Sequence, residues 1–126
     1  MLISNTDDHL RNHGFLYQGN NGWRLSPAYD LNPVPVDVKP RNLCTAIDIE
    51  DTTASLDLAL SVADYFDLKP DQAKSIASEV GIAVAGWRHE AKKAGIAGSE
   101  INRMASAFDH EDLRKATELA NKKTAP

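Results

Sequence analysis

The sequence holds a single cysteine, Cys44, which excludes an internal disulfide and a Cys-rich zinc site. The expected place of Cys44 is as a small buried hydrophobe in a strand, in a reducing compartment. Aromatic residues are scarce at 6%, so a core must rest mainly on Leu, Ile, Val and Ala. No apolar run approaches the ~18 residues of a membrane span. Met1-Leu2-Ile3-Ser4 is too short, and has no positive flank, for a secretory leader. A basic face is missing too. The formal charge is −4, whereas general nucleic-acid binders rely on phosphate contacts from a cationic surface. These absences predict a soluble, cytoplasmic protein with no direct nucleic-acid or membrane partner.

What is present suits one ordinary globular domain. The chain has 126 residues, 42% hydrophobic and 25% charged, which is average usage. Its opening is unusual: Met1, Leu2 and Ile3 run straight into a polar stretch. They read as the last turn of a core helix whose earlier turns are missing, and so as a truncation. Residues 4–14 read as a loop. Phe15-Leu16-Tyr17 and Trp23-Arg24-Leu25 read as strands around Gln18-Gly19-Asn20-Asn21-Gly22, a turn whose Asn and Gly residues tolerate positive φ. Pro27, Pro33, Pro35 and Pro40 force an irregular, extended segment. Leu43–Ile49 is expected to form a further short strand.

Helical periodicity begins after Thr53. Ser55 is placed to cap Leu56–Phe66, with Leu56, Ala59, Leu60, Ala63 and Phe66 inward. Pro70 opens a longer helix whose inward face is predicted as Ala73, Ile76, Ala77, Val80, Val84 and Trp87. Gly81 and Gly86 weaken that helix without ending it. A short helix is expected from Ser99 to Phe108. Asp109 is expected to cap a last one, with Leu113, Ala116, Thr117 and Ala120 inward and a frayed end from Lys122 to Pro126. The fold class is therefore mainly α: residues 1–50 hold the loop, hairpin and Pro-rich segment, and residues 54–123 the helices.

Chemistry concentrates in the irregular third. Phosphoryl transfer needs a carboxylate near the attacking hydroxyl and oxygen ligands for Mg²⁺. Protein kinases use an Asp, an Asn five residues later, and a second Asp beyond a hairpin. Asp7 and Asn12 have that spacing, Phe15–Leu25 supplies the hairpin, and Asp30 follows it. The competing reading is an Asx-turn or cap at Asp7 and Asp8. Moving the frame to Asp8 puts His13, not an Asn, at the metal position. His9 and His13 form H-x-x-x-H, but Gly14 and the following strand argue against a helix, and no Glu follows His9. His89 and His110 read as solvated. Trp23 and Trp87 read as packing residues, and Arg88–Lys93 as a solvated helix face.

Asn5-Thr6-Asp7-Asp8-His9-Leu10-Arg11-Asn12, with Ser26-Pro27-Ala28-Tyr29-Asp30-Leu31, resembles the HipA-like serine/threonine kinases, often the toxins of toxin–antitoxin pairs. The resemblance implies the helical C-terminal lobe of a two-lobed kinase. It implies Asp7 as catalytic base, Asn12 and Asp30 as ligands of Mg²⁺ and so of ATP, and His9 as a loop-shaping residue. Arg11 stands where the family usually has Lys, which places it toward phosphate or substrate. The implied partners are a protein substrate and an antitoxin of the HipB-like type. The family's nucleotide-covering loop and phosphate-binding lysine lie upstream, so this chain alone is expected to be inactive, and self-association is expected where a core helix is missing. The alternatives are a non-enzymatic module that binds an antitoxin or a separate N-lobe, and a gene remnant.

Overall fold

A computed structural model describes residues 1–121; Lys122–Pro126 and the side chains of Ala120 and Asn121 lie outside the described residues. Met1–Ile3 form a single turn closed by Ser4 N–H donating to Met1 O at 3.0 Å. Leu2 nevertheless reaches the core, where it meets Leu56, Leu113 and Ala116. Strands β1 (Phe15–Tyr17) and β2 (Trp23–Leu25) pair antiparallel in the register Phe15↔Leu25, Leu16↔Arg24 and Tyr17↔Trp23. A 3-10 turn at Gly19–Asn21 joins them, and positive φ at Gly19 (63°) and Gly22 (75°) lets the chain reverse.

No strand forms over Leu43–Ile49. That segment makes only isolated bridges, Asn42↔Thr53 and Asp48↔Asp51. The Asp48 and Asp51 carboxylates accept from the backbone N–H groups of Ile49 and Thr53. These local bonds fold the segment back on itself and compete with a ladder.

The rest is helical: α1 (Leu56–Ser61), α2 (Pro70–Ala85), α3 (Trp87–Lys93), α4 (Gly98–Arg103), α5 (Ala105–Phe108) and α6 (Glu111–Asn121). Ser55 Oγ accepts from Leu58 N at 3.3 Å and starts α1. The helix does not run on to Phe66. Residues Ala63–Phe66 tighten into a 3-10 turn, whose three-residue period rotates Phe66 outward, 69% exposed. Gln72 Oε1 accepts from Lys69 N at 2.9 Å, and Pro70 sits where its missing N–H costs nothing. Gly86 does end α2, at Ala85.

Helix α2 packs mainly on α6, and through a smaller face than periodicity suggests. Ala73, Ser78 and Gly81 are buried, while Ile76 (48%) and Val80 (47%) face outward. The reason is close approach. A Cβ added to Gly81 would lie 2.7 Å from Ala116 Cβ and 3.0 Å from the Ala116 carbonyl carbon. Small residues bring the two backbones together, and this contact, not the bulkier Ile and Val, sets the rotation of α2. Trp87 stacks on Phe108 at 4.2 Å between ring centres, with the Arg88 guanidinium 4.5 Å from the Trp87 centroid. Trp23, by contrast, is exposed and pairs with Tyr17 at 5.2 Å.

A polar hub fastens the N-terminal turn to these helices. The buried Asp112 accepts from Arg41 Nη2 at 2.6 Å and from Leu56 N at 3.0 Å. Arg41 also donates to Met1 O. His110 is half-buried, not solvated. Its Nε2 faces Leu2 O at 3.1 Å, and its Nδ1 accepts from Leu113 N at 3.4 Å. His110 thus takes the capping place expected of Asp109, whose carboxylate instead accepts from Arg88 at 2.5 Å.

Candidate functional site

Residues 4–14 form the loop singled out by sequence, and its first residues are anchored. Ser4, Asn5 and Thr6 are buried, and Ser4 adopts φ 50°, a left-handed conformation that side chains disfavour. Val34 N donates to Ser4 O at 3.3 Å. From the other side, Cys44 Sγ donates to Thr6 O at 3.3 Å and Thr45 Oγ1 donates to Asp8 O at 3.1 Å. Cys44 is therefore exposed and outside any strand, contrary to the buried place expected of it. The Pro-rich segment and residues 44–45 hold the loop from outside.

This anchoring leaves Asp7 at the surface. Its N–H donates to Asn5 Oδ1 at 3.4 Å, so Asn5 supplies the Asx-type turn. The Asp7 carboxylate stays exposed, with Cys44 Sγ 3.6 Å from Oδ1. Asp8 faces His13 at 3.8 Å.

Asn12 and Asp30 meet. A 3-10 turn at Leu10–Asn12 places Asn12 so that its Oδ1 accepts from His9 N at 3.1 Å. The Asn12 Nδ2 then donates to Asp30 Oδ2 at 3.0 Å, across 18 residues. The hairpin makes this closure possible. Ser26 N donates to Gly14 O at 2.8 Å, and Tyr29 OH donates to Arg11 O at 2.7 Å. Gly14 suits the close approach, since a Cβ there would lie 3.3 Å from Ser26 Oγ. Asp30 has φ 58°, which turns its carboxylate back toward Asn12, and its Oδ1 accepts from Asn32 Nδ2 at 2.6 Å.

The remaining candidates stand apart from this pair. Asp7 makes no hydrogen bond to Asn12 or Asp30 among the described residues. The Arg11 guanidinium is exposed and pairs with no carboxylate among them, while His9 Nδ1 is buried without a partner. Sequence reasoning missed Asn32, the clamp of Cys44 and Thr45, and the Tyr29 hydroxyl. Of these, Tyr29 was marked by its place in the Ser26–Leu31 string, whereas Asn32, Cys44 and Thr45 carried no local pattern for these contacts.

Asn12 and Asp30 are a carboxamide and a carboxylate, oxygen donors of the kind Mg²⁺ prefers. Each Asp30 oxygen accepts one hydrogen bond, and Asn12 Oδ1 accepts one, so lone pairs remain on all three. Two protein ligands are few for a resident ion, but they fit one that arrives with phosphate oxygens. An open cleft of about 630 Å³ between α3 and α6, lined by Trp87, Phe108 and Arg114, shares no residue with this loop.

Among known proteins, the family model described as "HipA-like C-terminal domain" matches residues 1–87. No curated protein and no solved structure matches the chain.

Proposed function

Since the chain belongs to the HipA-like C-terminal domain family, we propose that its Asn5–Asp30 segment is the metal-and-base half of a phosphoryl-transfer site. The reaction it serves moves the γ-phosphoryl group of ATP to a Ser or Thr hydroxyl of a protein. The observation that carries this reading is the Asn12–Asp30 hydrogen bond at 3.0 Å, which joins two oxygen-bearing side chains from the two ends of the hairpin.

The roles are those the family resemblance implies, and the geometry supports them. Asp7 presents an exposed carboxylate on an anchored loop, suited to take the hydroxyl proton as the new O–P bond forms and the bond to the β-phosphate oxygen breaks. Asn12 and Asp30 would hold Mg²⁺, which when bound neutralises phosphate charge. Arg11, whose exposed guanidinium pairs with no carboxylate among the described residues, would reach for phosphate or substrate, and His9 sets the turn through its backbone N–H. In this reading the wider protein acts on a protein substrate and answers to an antitoxin of the HipB-like type.

The test is a titration of the chain with Mg²⁺ and ATP, followed by amide NMR shifts. The reading expects shifts confined to Asn5–Asn12 and the Asp30 region, and dependent on both components. Absence of any such response would contradict it.

A further inference from the structure

Asp30 is gripped at both oxygens. Asn12 Nδ2 donates to its Oδ2 at 3.0 Å, and Asn32 Nδ2 donates to its Oδ1 at 2.6 Å. The second bond is the shorter, yet the chemistry proposed above gives Asn32 no role. The backbone sets its place. Asn32 N donates to Asp30 O at 3.1 Å, which closes a tight turn behind the left-handed Asp30. Pro33 disfavours helical backbone at Asn32. Val34 N donates to Ser4 O at 3.3 Å and ties this stretch to the anchored start of the loop. Asn12 is tied on its own side, where its Oδ1 accepts from His9 N at 3.1 Å. Two amides, one from either end of the hairpin, thus hold one carboxylate against rotation about its Cβ–Cγ bond.

We propose that Asn32 is a positioning residue that sets which cation the Asn12–Asp30 pair accepts, favouring Mg²⁺ over Ca²⁺. The inference rests on the metal-binding role proposed above for that pair. A carboxylate can meet a cation through one oxygen or through both. Each Asp30 oxygen already accepts an amide hydrogen, which leaves each with a lone pair. A cation held by one oxygen leaves the bond to the other undisturbed. A cation held by both must crowd the positive ends of two N–H groups, or turn the carboxylate and break a bond of the stronger, charge-assisted class. Mg²⁺ binds in a strict octahedron at about 2.0–2.1 Å, through one or two carboxylates plus phosphate oxygens and water. Ca²⁺ has a looser shell of about six to eight oxygens at about 2.3–2.6 Å, and often takes both oxygens of one carboxylate. Freeing Oδ1 therefore costs Mg²⁺ the fixed aim of its ligand and offers Ca²⁺ a second oxygen.

The test titrates Mg·ATP and Ca·ATP separately into the full chain and into Asn32→Ala, with the amide NMR shifts of Asn12 and Asp30 as the readout. Asn32 is exposed, so the variant should keep the parent's urea midpoint. Loss of an outer partner of a metal ligand costs affinity about tenfold or more. Asn32→Ala should bind Mg·ATP about tenfold more weakly and Ca·ATP as well as the parent or better, so the ratio of the two affinities falls about tenfold. A merely structural role would weaken both alike. Asn32→Asp, whose ionised carboxylate has no hydrogen to donate, should move the ratio the same way. Without metal, one side-chain amide proton of Asn32 should stand downfield in the parent and move upfield in Asp30→Asn. An unchanged ratio in a parent that binds Mg·ATP overturns the proposal and leaves the metal site standing. So does an Asn32 amide proton indifferent to Asp30→Asn. A parent that responds to neither complex removes the metal-binding reading, and the proposal with it.

Discussion

Asp30 meets two demands at once. It takes a left-handed φ and it offers both carboxylate oxygens, one to Asn12 and one to Asn32. Asn tolerates that backbone region at least as well as Asp, so Asp30→Asn should leave stability within about 0.5 kcal/mol of the parent. It removes the only carboxylate of the pair. Magnesium-dependent shifts on ATP addition should weaken at least about tenfold, while urea unfolding is unchanged. Asp112 is the opposite case, a buried carboxylate with a structural task. Asp112→Ala leaves Arg41 without its carboxylate and the Leu56 N–H without an acceptor. A loss of about 3–5 kcal/mol is expected in urea denaturation, and Asp112→Asn should recover part of it.

His110 supplies a pH dependence. Burial, then the nearby Arg41 charge, lowers its pKa below the ordinary value of 6.5, and the Asp112 charge opposes this only in part. The unfolded chain therefore binds this proton more readily than the folded one. The stability contributed is fully present above pH 6.5 and is lost as pH falls from there through the lowered folded value. Protonation at Nδ1 would also remove the acceptor for Leu113 N–H. Urea midpoints should drop between pH 7.5 and 5.5 in the parent, and by less in His110→Gln. Equal drops in the two proteins would contradict the assignment.

At the scale of elements, the contact of α2 with α6 sets the helical frame. Ala is the better helix former by about 1 kcal/mol, yet Gly81→Ala should destabilise by about 1–3 kcal/mol, because its Cβ would meet Ala116 at 2.7 Å. Adding Ala116→Gly should restore only part of the loss, since the backbone of Ala116 and Thr117 stays within 3.0–3.2 Å. Thermal unfolding of the two single variants and the double would measure the coupling. This contact also shows what sequence reading could reach. Pro70, Ser55 and the Gln18–Gly22 turn act on their own neighbours, and the helix starts and the chain reversal stand where turn and cap chemistry put them, although α1 and α2 stop short of the expected ends. Ile76 and Val80 were misplaced because backbone approach on a small-residue face outweighs their hydrophobicity. Cys44 was misplaced because its partners lie in a loop 37–38 residues away.

On the scale of the whole molecule, the same distinction separates site from scaffold. The Asp7–Asn12 spacing and the hairpin before Asp30 are local, and the reunion of Asn12 with Asp30 follows from hairpin closure. The hub that anchors the loop joins residues 56, 71 and 108 positions apart, through Leu56–Asp112, Arg41–Asp112 and Leu2–His110. No local pattern marks those pairs, so His110 reads as solvated and Asp112 is not singled out. Among the described residues no helix is long and apolar enough to cross a membrane. The scaffold is a small helical frame built on α2 and α6, and its N-terminal loop and hairpin project the candidate chemistry from one side.

The central claim is that Asn12 and Asp30 bind a divalent cation together with a nucleotide's phosphates. The most direct test replaces Mg²⁺ with Mn²⁺, whose unpaired electrons broaden the amide signals of nearby residues. With ATP present, the account predicts selective broadening at Asn12, Asp30 and their immediate neighbours, little effect on α4 to α6, and loss of the pattern in Asp30→Asn. Broadening spread over the acidic surface, or an unchanged pattern in Asp30→Asn, would contradict it.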